Sequence, residues 1–270
     1  MKYELRHLSF CETLYQSFQL YFHNFIPLFM ISFISNIPSI IISITMGERL
    51  LIIKGEYWDI RFLVITIGIS ILCTALSIEL ISKRYLNHQQ SIKQYIQNLL
   101  PFFLPIIGLY ILSALIIAGP GYLLYSITNS KTALALYLIP AIYLLLTLSM
   151  SPQVLIVERQ KVTNSIIRSI SLTQKRKSTI LGFIMVIGMI NFYVIKISNV
   201  IHSIIISQIN PTYYSYLISM YTLRHLVDIL INPFITCALI LIYFNLKIEK
   251  EGFALEYLVD QLGSSTSGKK

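Results

Sequence analysis

Six apolar stretches dominate this chain, and each is long enough to cross a lipid bilayer as a helix. A helix needs about 20 apolar residues to span a hydrocarbon core of roughly 30 Å. Since a backbone in lipid must satisfy its own hydrogen bonds, we expect all six to be α-helices. The sequence therefore predicts an all-α, polytopic membrane protein with transmembrane helices at Phe25–Met46, Phe62–Ser82, Pro101–Ile127, Thr132–Val157, Thr179–Ser207 and Leu217–Leu246.

Lysine and arginine are distributed unevenly between the two sides of these predicted spans. Fifteen lie on the side of the two chain termini and five on the opposite side, while Lys196 falls inside a span. Cytoplasmic segments of multi-pass proteins carry the excess of Lys and Arg. We therefore expect the N- and C-termini to be cytoplasmic.

Composition agrees with a membrane protein and argues against several other classes. Hydrophobic residues make up 55% of the chain and charged residues 12%, whereas soluble domains carry about 25% charge. The net charge of +9 is typical of nucleic-acid binders, but the cations cluster at span ends, so we expect no nucleic-acid partner. The three cysteines are far apart, and HExxH, GxSxG and Gly-rich phosphate motifs are missing from the sequence. We expect neither a metal site, a cofactor nor catalysis.

A weak internal repeat divides the chain into three units. Segments beginning at Ser17, Ser91 and Ser169 resemble one another at offsets of 74 and 78 residues, and residues 22–29 match 96–103 in pattern. A repeat is one supersecondary unit, here a short helix followed by two spans. We expect units at roughly 8–82, 88–157 and 162–250 in a single membrane domain over 1–262, with a disordered polar tail over 263–270.

The short helices are predicted to be amphipathic. In the second unit, apolar residues fall at helical spacing opposite Lys93, Gln94 and Gln97, and they are Ile92, Tyr95, Ile96, Leu99 and Leu100. The first and third units show the same pattern, which is typical of helices that lie in the membrane interface. Packed linkers between spans are the alternative. Three parallel units of this kind are expected to close around a pseudo-threefold axis along the membrane normal.

Charged residues within or beside spans are the candidate functional groups, because charge in lipid is costly. Lys196, Arg224 and Asp228 fall at similar depth, and Lys196 and Asp228 are predicted to form an intramembrane pair. A structural role, with Lys196 reaching towards the interface, is the alternative.

Two carboxylates, Glu79 and Glu158, end the second and fourth spans. We expect each to anchor a neighbouring short helix, through Arg168, Lys93 or a helix N-terminus. Cations of the third unit are candidate contacts for anionic lipid headgroups, although basic cytoplasmic loops also follow from topology alone. These cations are Arg168, Lys175, Arg176 and Lys177.

Several motifs resemble a known family. The segments 151–158 and 165–173 together look like a Pro-containing span end, a Glu and an Arg-Ser-x-x-Leu-Thr helix, and 243–256 contains Tyr, Lys and Glu-Gly-Phe. This pattern resembles the membrane domain attached to some bacterial glycerophosphoryl diester phosphodiesterases. Gly119-Pro120-Gly121 is similar to a feature of the related YciC-like inner-membrane proteins. The resemblance implies a six-span domain of the bacterial cytoplasmic (inner) membrane. It does not imply phosphodiesterase activity, since no soluble stretch is long enough for that catalytic domain.

Three functions remain open from the sequence, and a membrane-embedded enzyme is the third of them. The first is a non-catalytic membrane protein that handles lipid, organises the membrane or assists a protein partner of unknown identity, with membrane lipids as its expected contacts. The alternative is a transporter of small solutes or lipids that uses Lys196, Asp228 and helices kinked at Pro38, Gly119–Gly121, Pro140, Pro152 and Pro233.

Overall fold

The fold is known from a computed structural model that describes residues 6–52, 60–88, 90–174, 176–209 and 213–253. These residues form ten α-helices and no β-strand. A 3₁₀ turn at Leu100–Phe102 joins α4 to α5. The helices are α1 (Phe10–His23), α2 (Phe25–Ile52), α3 (Ile60–Tyr85), α4 (Ile92–Leu99), α5 (Phe103–Thr128), α6 (Lys131–Leu148), α7 (Ser151–Val157), α8 (Val162–Thr173), α9 (Lys177–Ile209) and α10 (Tyr213–Glu251).

Six helical segments are long and apolar enough to cross a membrane, which confirms the predicted number of spans. The fourth span consists of α6 and α7 in succession. The longest helix, α10, has 39 residues and measures about 58 Å at 1.5 Å per residue. It is longer than a hydrocarbon core of roughly 30 Å, so part of α10 extends beyond that core.

Proline interrupts only one of the predicted spans. The helices continue through Pro38, Pro120, Pro140 and Pro233. The break falls before Pro152, where α6 ends and α7 begins. Proline has no N–H and so cannot donate to the carbonyl four residues earlier. At this break the hydroxyl of Ser151 donates to the Leu148 carbonyl at 2.5 Å.

The long helices pack in a cyclic order. Helix α2 lies against α10 and α3, α5 against α3 and α6, and α9 against α6 and α10. The short helices follow the same cycle, because α1 packs on α10, α4 on α3, and α8 on α6 and α7. We divide the helices into three groups, α1–α3, α4–α7 and α8–α10. In each group the short helix and the long helix after it contact the last long helix of the preceding group, and the third group precedes the first. Helix α10 also contacts α1 and α2, which brings the end of the chain against its beginning.

The apolar core is concentrated at one end of the bundle, which we call the packed end. It is the end that carries α1, α4 and α8. The buried side chains come mainly from the beginnings of α2, α5 and α9, from the ends of α3, α6 and α10, and from α1, α4, α7 and α8. Tyr85, Tyr95, Phe183, Tyr243 and Phe244 are the largest of them. The core therefore ties all three groups of helices together at this end.

The opposite end, which we call the open end, carries the turn between α5 and α6. From Ile111 to Leu145, Gly121 alone is buried. A Cβ atom on Gly121 would lie 2.6 Å from the Tyr137 ring, and the Tyr137 hydroxyl donates to the Ile117 carbonyl at 2.6 Å. The α5–α6 hairpin is thus held together mainly by its own packing here.

Small polar residues line the buried faces of two short helices. Thr13 and Ser17 are buried in α1, and Ser165, Ser169 and Thr173 are buried in α8. Small residues allow helices to approach closely. Each hydroxyl donates to a backbone carbonyl, and that of Ser169 reaches the Thr147 carbonyl of α6 at 2.7 Å.

Ser17, Ser91 and Ser169, which the sequence predicts to be equivalent, occupy different environments. Ser91 is the exposed N-cap of α4 and forms a capping box with Gln94, while Ser17 and Ser169 lie buried inside their helices. The structural counterpart of Ser91 in the first group is Ser9, which caps α1 together with Glu12. Helix α4 is simply shorter at its N-terminus than the sequence offset implies.

Candidate functional site

A belt of charged and polar groups surrounds the packed end, and Glu158 is its centre. This residue follows α7 directly, and its side chain is 10% exposed. One carboxylate oxygen accepts from the Tyr243 hydroxyl at 2.7 Å and lies 3.3 Å from Lys247 Nζ. The other accepts from Arg168 Nε at 3.2 Å. Arg168 also pairs with Glu251, so α7, α8 and the end of α10 meet at one carboxylate.

The surroundings of Glu158 favour its charged form. Burial by itself would raise the pKa of Glu158, but the Tyr243 hydroxyl, Lys247 and Arg168 outweigh burial and hold the pKa below its ordinary value. Burial likewise opposes the charge on Arg168, yet Glu251 and Glu158 together raise the pKa of its guanidinium. Both members of the pair are therefore charged at neutral pH.

Glu79 is the second carboxylate of the belt, and its side chain is only 1% exposed. It lies in α3 and accepts from Arg159 Nη2 at 2.6 Å. The same guanidinium donates through Nη1 to the Asn98 carbonyl at the end of α4 and lies over the Phe102 ring. Glu79 therefore reaches a short helix through Arg159, and neither Lys93 nor Arg168 is the intermediary that the sequence suggested.

Arg159 occupies a backbone conformation that favours glycine, with φ of 55°. An L-residue in this left-handed region costs roughly 1–2 kcal/mol. Such strain persists where the surrounding contacts over-determine it. Here the side chain joins α3 to α4, which a glycine at the same position would leave unlinked.

The same kind of contact occurs in all three groups of helices. In each, a basic side chain near the end of the second long helix contacts the end of that group's short helix. Arg84 donates to the Asn24 side chain at 2.5 Å, and Arg159 donates to the Asn98 carbonyl at 2.9 Å. Lys250 donates to the carbonyls of Ser171 and Gln174 at 2.6 and 2.7 Å. The last carbonyls of a helix lack intrahelical donors and carry partial negative charge. Arg159 and Lys250 donate to such carbonyls, whereas Arg84 donates to the side-chain oxygen of Asn24, the C-cap residue of α1.

The end of α10 also holds the start of the chain. The Asn245 side chain accepts from the Leu8 N–H at 2.8 Å and donates to the Leu8 carbonyl at 2.9 Å. Glu249 pairs with Arg176 and lies 3.6 Å from His7 Nε2. The neutral amide of Asn245 thus links α10 to the segment before α1. The corresponding links to α4 and α8 are made by the carboxylates of Glu79 and Glu158.

The cations predicted to contact lipid occupy different environments. Arg168 pairs with Glu158 and Glu251, and Arg176 pairs with Glu249. Lys177 Nζ lies 3.5 Å from the centre of the Tyr143 ring. Lys175 lies outside the described residues. Two of the three described cations are therefore engaged by carboxylates, and they also serve the packing of the belt.

The structure does not bring Lys196 and Asp228 together. The Asp228 carboxylate lies 3.6 Å from Arg224 Nε, one turn earlier on α10, and Lys196 Nζ lies 5.6 Å from the Phe192 ring. His202 and Ser219, 2.7 Å apart, mark the face of α10 that meets α9. Asp228 follows Ser219 by nine residues, which at 3.6 residues per turn is two and a half turns. Asp228 therefore lies on the side of α10 away from α9.

Sequence reasoning did not single out most members of the belt, among them Arg159, Tyr243, Asn245, Lys247 and Glu251. For Tyr243 and Asn245 the sequence does contain a signal. They are polar residues at the end of an otherwise apolar helix, and buried polar groups need hydrogen-bond partners. No sequence spacing indicated that Arg159 reaches back to α3. Across the described ranges, no group of three or more His, Cys, Asp or Glu residues gathers as metal ligands would.

Comparison of the chain with protein-family models, with curated proteins and with solved structures gave no match.

Proposed function

We propose that this protein is a non-catalytic component of the bacterial cytoplasmic membrane that handles or organises lipid, with its short helices in the cytoplasmic interface. One observation carries the proposal. The short helices turn large apolar side chains away from the bundle, although their other faces are packed against it. Outward apolar faces at the ends of transmembrane helices fit the boundary between headgroups and acyl chains.

All three short helices contribute to this apolar collar. In α1, Phe22 is 66% exposed, in α4 Ile96 is 47% exposed, and in α8 Ile167 is 65% exposed. The faces that pack against the bundle carry Ser17, Tyr95 and Ser169, all three of which are buried. In water such a collar would be costly at about 25 cal/mol per Å², whereas in a membrane interface it contributes binding energy.

The proposal includes three pseudo-equivalent units. The cyclic packing of long and short helices supports this arrangement, as do the three basic contacts made by Arg84, Arg159 and Lys250. The resemblance to the membrane domain of bacterial glycerophosphoryl diester phosphodiesterases and to YciC-like proteins is part of the same proposal. So is the cytoplasmic location of both termini.

Depth-dependent fluorescence quenching tests the collar. In a Trp58→Phe background, tryptophan is introduced singly as Phe22→Trp, Ile96→Trp or Ile167→Trp, and the protein is placed in liposomes that contain brominated lipids. Each probe is expected to be quenched most by bromines near the headgroups. Ser130→Trp, in the turn between α5 and α6, is the matched control for the opposite leaflet. Probes that no brominated lipid quenches would contradict the interfacial placement.

Thiol labelling tests the orientation in intact cells. In a background without native cysteines, Lys131→Cys is expected to react with an impermeant reagent added outside, and Lys93→Cys only after lysis. Both side chains are exposed. Reaction of Lys93→Cys in intact cells would reverse the proposed topology.

Transport is the second candidate, and the charged pair in α10 favours it. Arg224 and Asp228 lie within an apolar span, where charge indicates a functional site. If they serve transport, proteoliposomes should show an ion or proton flux that Asp228→Asn removes. Equal flux in liposomes with wild-type protein, with the variant and without protein would argue against transport.

A further inference from the structure

A groove on the outer side of α8 has the composition of a small polar binding site. Its volume is about 310 Å³, and it is lined by Gln160, Asn164, Ile167, Arg168 and Ser171. Ligand sites are typically 300–1,000 Å³. The described residues that line it provide two amides, a hydroxyl, a guanidinium and an apolar side chain, but no carboxylate.

Arg168 is held in a fixed orientation at this groove. Its Nε donates to Glu158, and its Nη2 pairs with Glu251. A guanidinium carries five N–H donors. The Nη1 donors and one Nη2 donor are not used by these two contacts, and Arg168 lines the groove. The carboxylates thus pre-organise the cation without closing its outer edge.

The beginning of α8 differs from the beginnings of the other short helices. Ser9 and Ser91 cap α1 and α4 with their side chains, whereas Lys161 provides no side-chain cap for α8. The first N–H groups of a helix lack intrahelical acceptors and carry partial positive charge. Gln160 and Asn164, which line the groove, lie on either side of the first residues of α8 in the chain, so this uncapped turn adjoins the groove.

We propose that this groove binds the phosphodiester of a membrane phospholipid headgroup, a step that rests on the proposed lipid handling. Arg168 and the two amides offer donors to the phosphate oxygens. Glu158 and Glu251 bind one edge of the guanidinium, and the lining itself contributes donors but no carboxylate. This set of N–H donors fits the oxygens of a phosphate group. Ile167, which projects from the same groove, contacts the glycerol and the first acyl carbons. A lipid is therefore the occupant, and a free phosphate ion would leave the Ile167 side chain unused.

Native mass spectrometry and binding to nanodiscs of phosphatidylglycerol test the proposal on the whole protein. Asn164→Leu and Gln160→Leu remove the two amides and leave the ion pairs of Arg168 intact. Each is expected to weaken retention of phosphatidylglycerol about fivefold, since one hydrogen bond contributes about 1 kcal/mol. Gln97→Leu, an exposed amide on α4, is the matched control and is expected to retain lipid like the wild type. Thermal unfolding of each variant verifies that it is folded.

The outcomes separate this proposal from the broader function. Wild-type protein that retains no phospholipid would overturn lipid handling itself. Wild-type and groove variants that retain phospholipid equally would overturn the groove alone. Dioleoylglycerol, which lacks phosphate, is expected not to compete, and equal competition would exclude phosphodiester recognition. Inorganic phosphate that displaces the lipid at equal concentration would show that the site recognises the free ion instead.

Discussion

The packed end and the open end of the bundle are built from the same helices but on different principles. At the packed end, the three groups of helices share an apolar core and a belt of ion pairs in which Glu79 and Glu158 are almost fully covered. At the open end, the α5–α6 hairpin packs mainly on itself, and the charged groups Lys196 and Arg224 are exposed.

The difference shows where specificity of packing comes from in a chain this apolar. In a bilayer, lipid tails are as apolar as leucine and isoleucine side chains. Moving such a side chain from lipid to a helix contact therefore gains no hydrophobic free energy. Polar contacts and small residues then decide which helices meet. Among the described residues, the buried ion pairs and the buried small polar residues of the short helices lie at the packed end.

Removal of the central carboxylate is expected to have the largest effect. Glu158→Gln would leave Arg168 and Lys247 without their shared acceptor, and breaking such a pair costs about 3–5 kcal/mol. Asp228→Asn is the counterpart at the open end, where one ion pair, 3.6 Å from Arg224 Nε, is lost, and we expect a smaller loss of stability. Unfolding in detergent, followed by circular dichroism, measures both. Equal losses in the two variants would contradict the division of the molecule into two ends.

A methyl group placed between α5 and α6 tests the open end itself. Gly121→Ala would bring a Cβ to 2.6 Å from the Tyr137 ring, and overpacking of this kind costs about 1–3 kcal/mol. The hairpin is expected to separate locally, which faster hydrogen exchange of residues 115–140 would report. Gly119→Ala, where no neighbour lies within 4 Å of the new Cβ, is the control. If both variants exchange like the wild type, the hairpin contact is not tight.

Acidification is expected to weaken the packed end. The pKa of Glu158 is lowered in the folded protein from its ordinary 4.5, so the unfolded chain binds this proton more readily. The stabilisation is complete above about pH 4.5 and is lost as pH falls through the lower folded value. The difference in melting temperature between wild type and Glu158→Gln should therefore narrow between pH 6 and pH 3.5. A constant difference would show that the charge of Glu158 is unimportant.

The smallest effect is expected for Lys196 and Asp228 as a pair. Since the structure separates them, the losses from Lys196→Met and Asp228→Asn should add to within about 0.5 kcal/mol in the double variant. Arg224→Met with Asp228→Asn is the comparison, because these two residues do interact. A coupling above that limit for Lys196 and Asp228 would show that they meet in the membrane.

Sequence patterns predicted the six long helices and the all-α class, because long apolar runs in lipid have few alternatives to a helix. They also singled out Glu79, Glu158 and Arg168, since charge at the edge of an apolar run is costly without a partner. The predicted Glu158–Arg168 contact is present. The repeat and the interfacial position of the short helices remain predictions.

The sequence by itself thus determined what is local: helix length, apolar content and the presence of charges that need partners. Only the tertiary structure decided who those partners are. Arg159 lies 80 residues from Glu79, and Asn245 lies 237 residues from Leu8. Contacts over such separations depend on which helices pack together and on their rotation. A rotation of half a turn is enough to direct Asp228 away from Lys196 without changing a single residue of the apolar pattern.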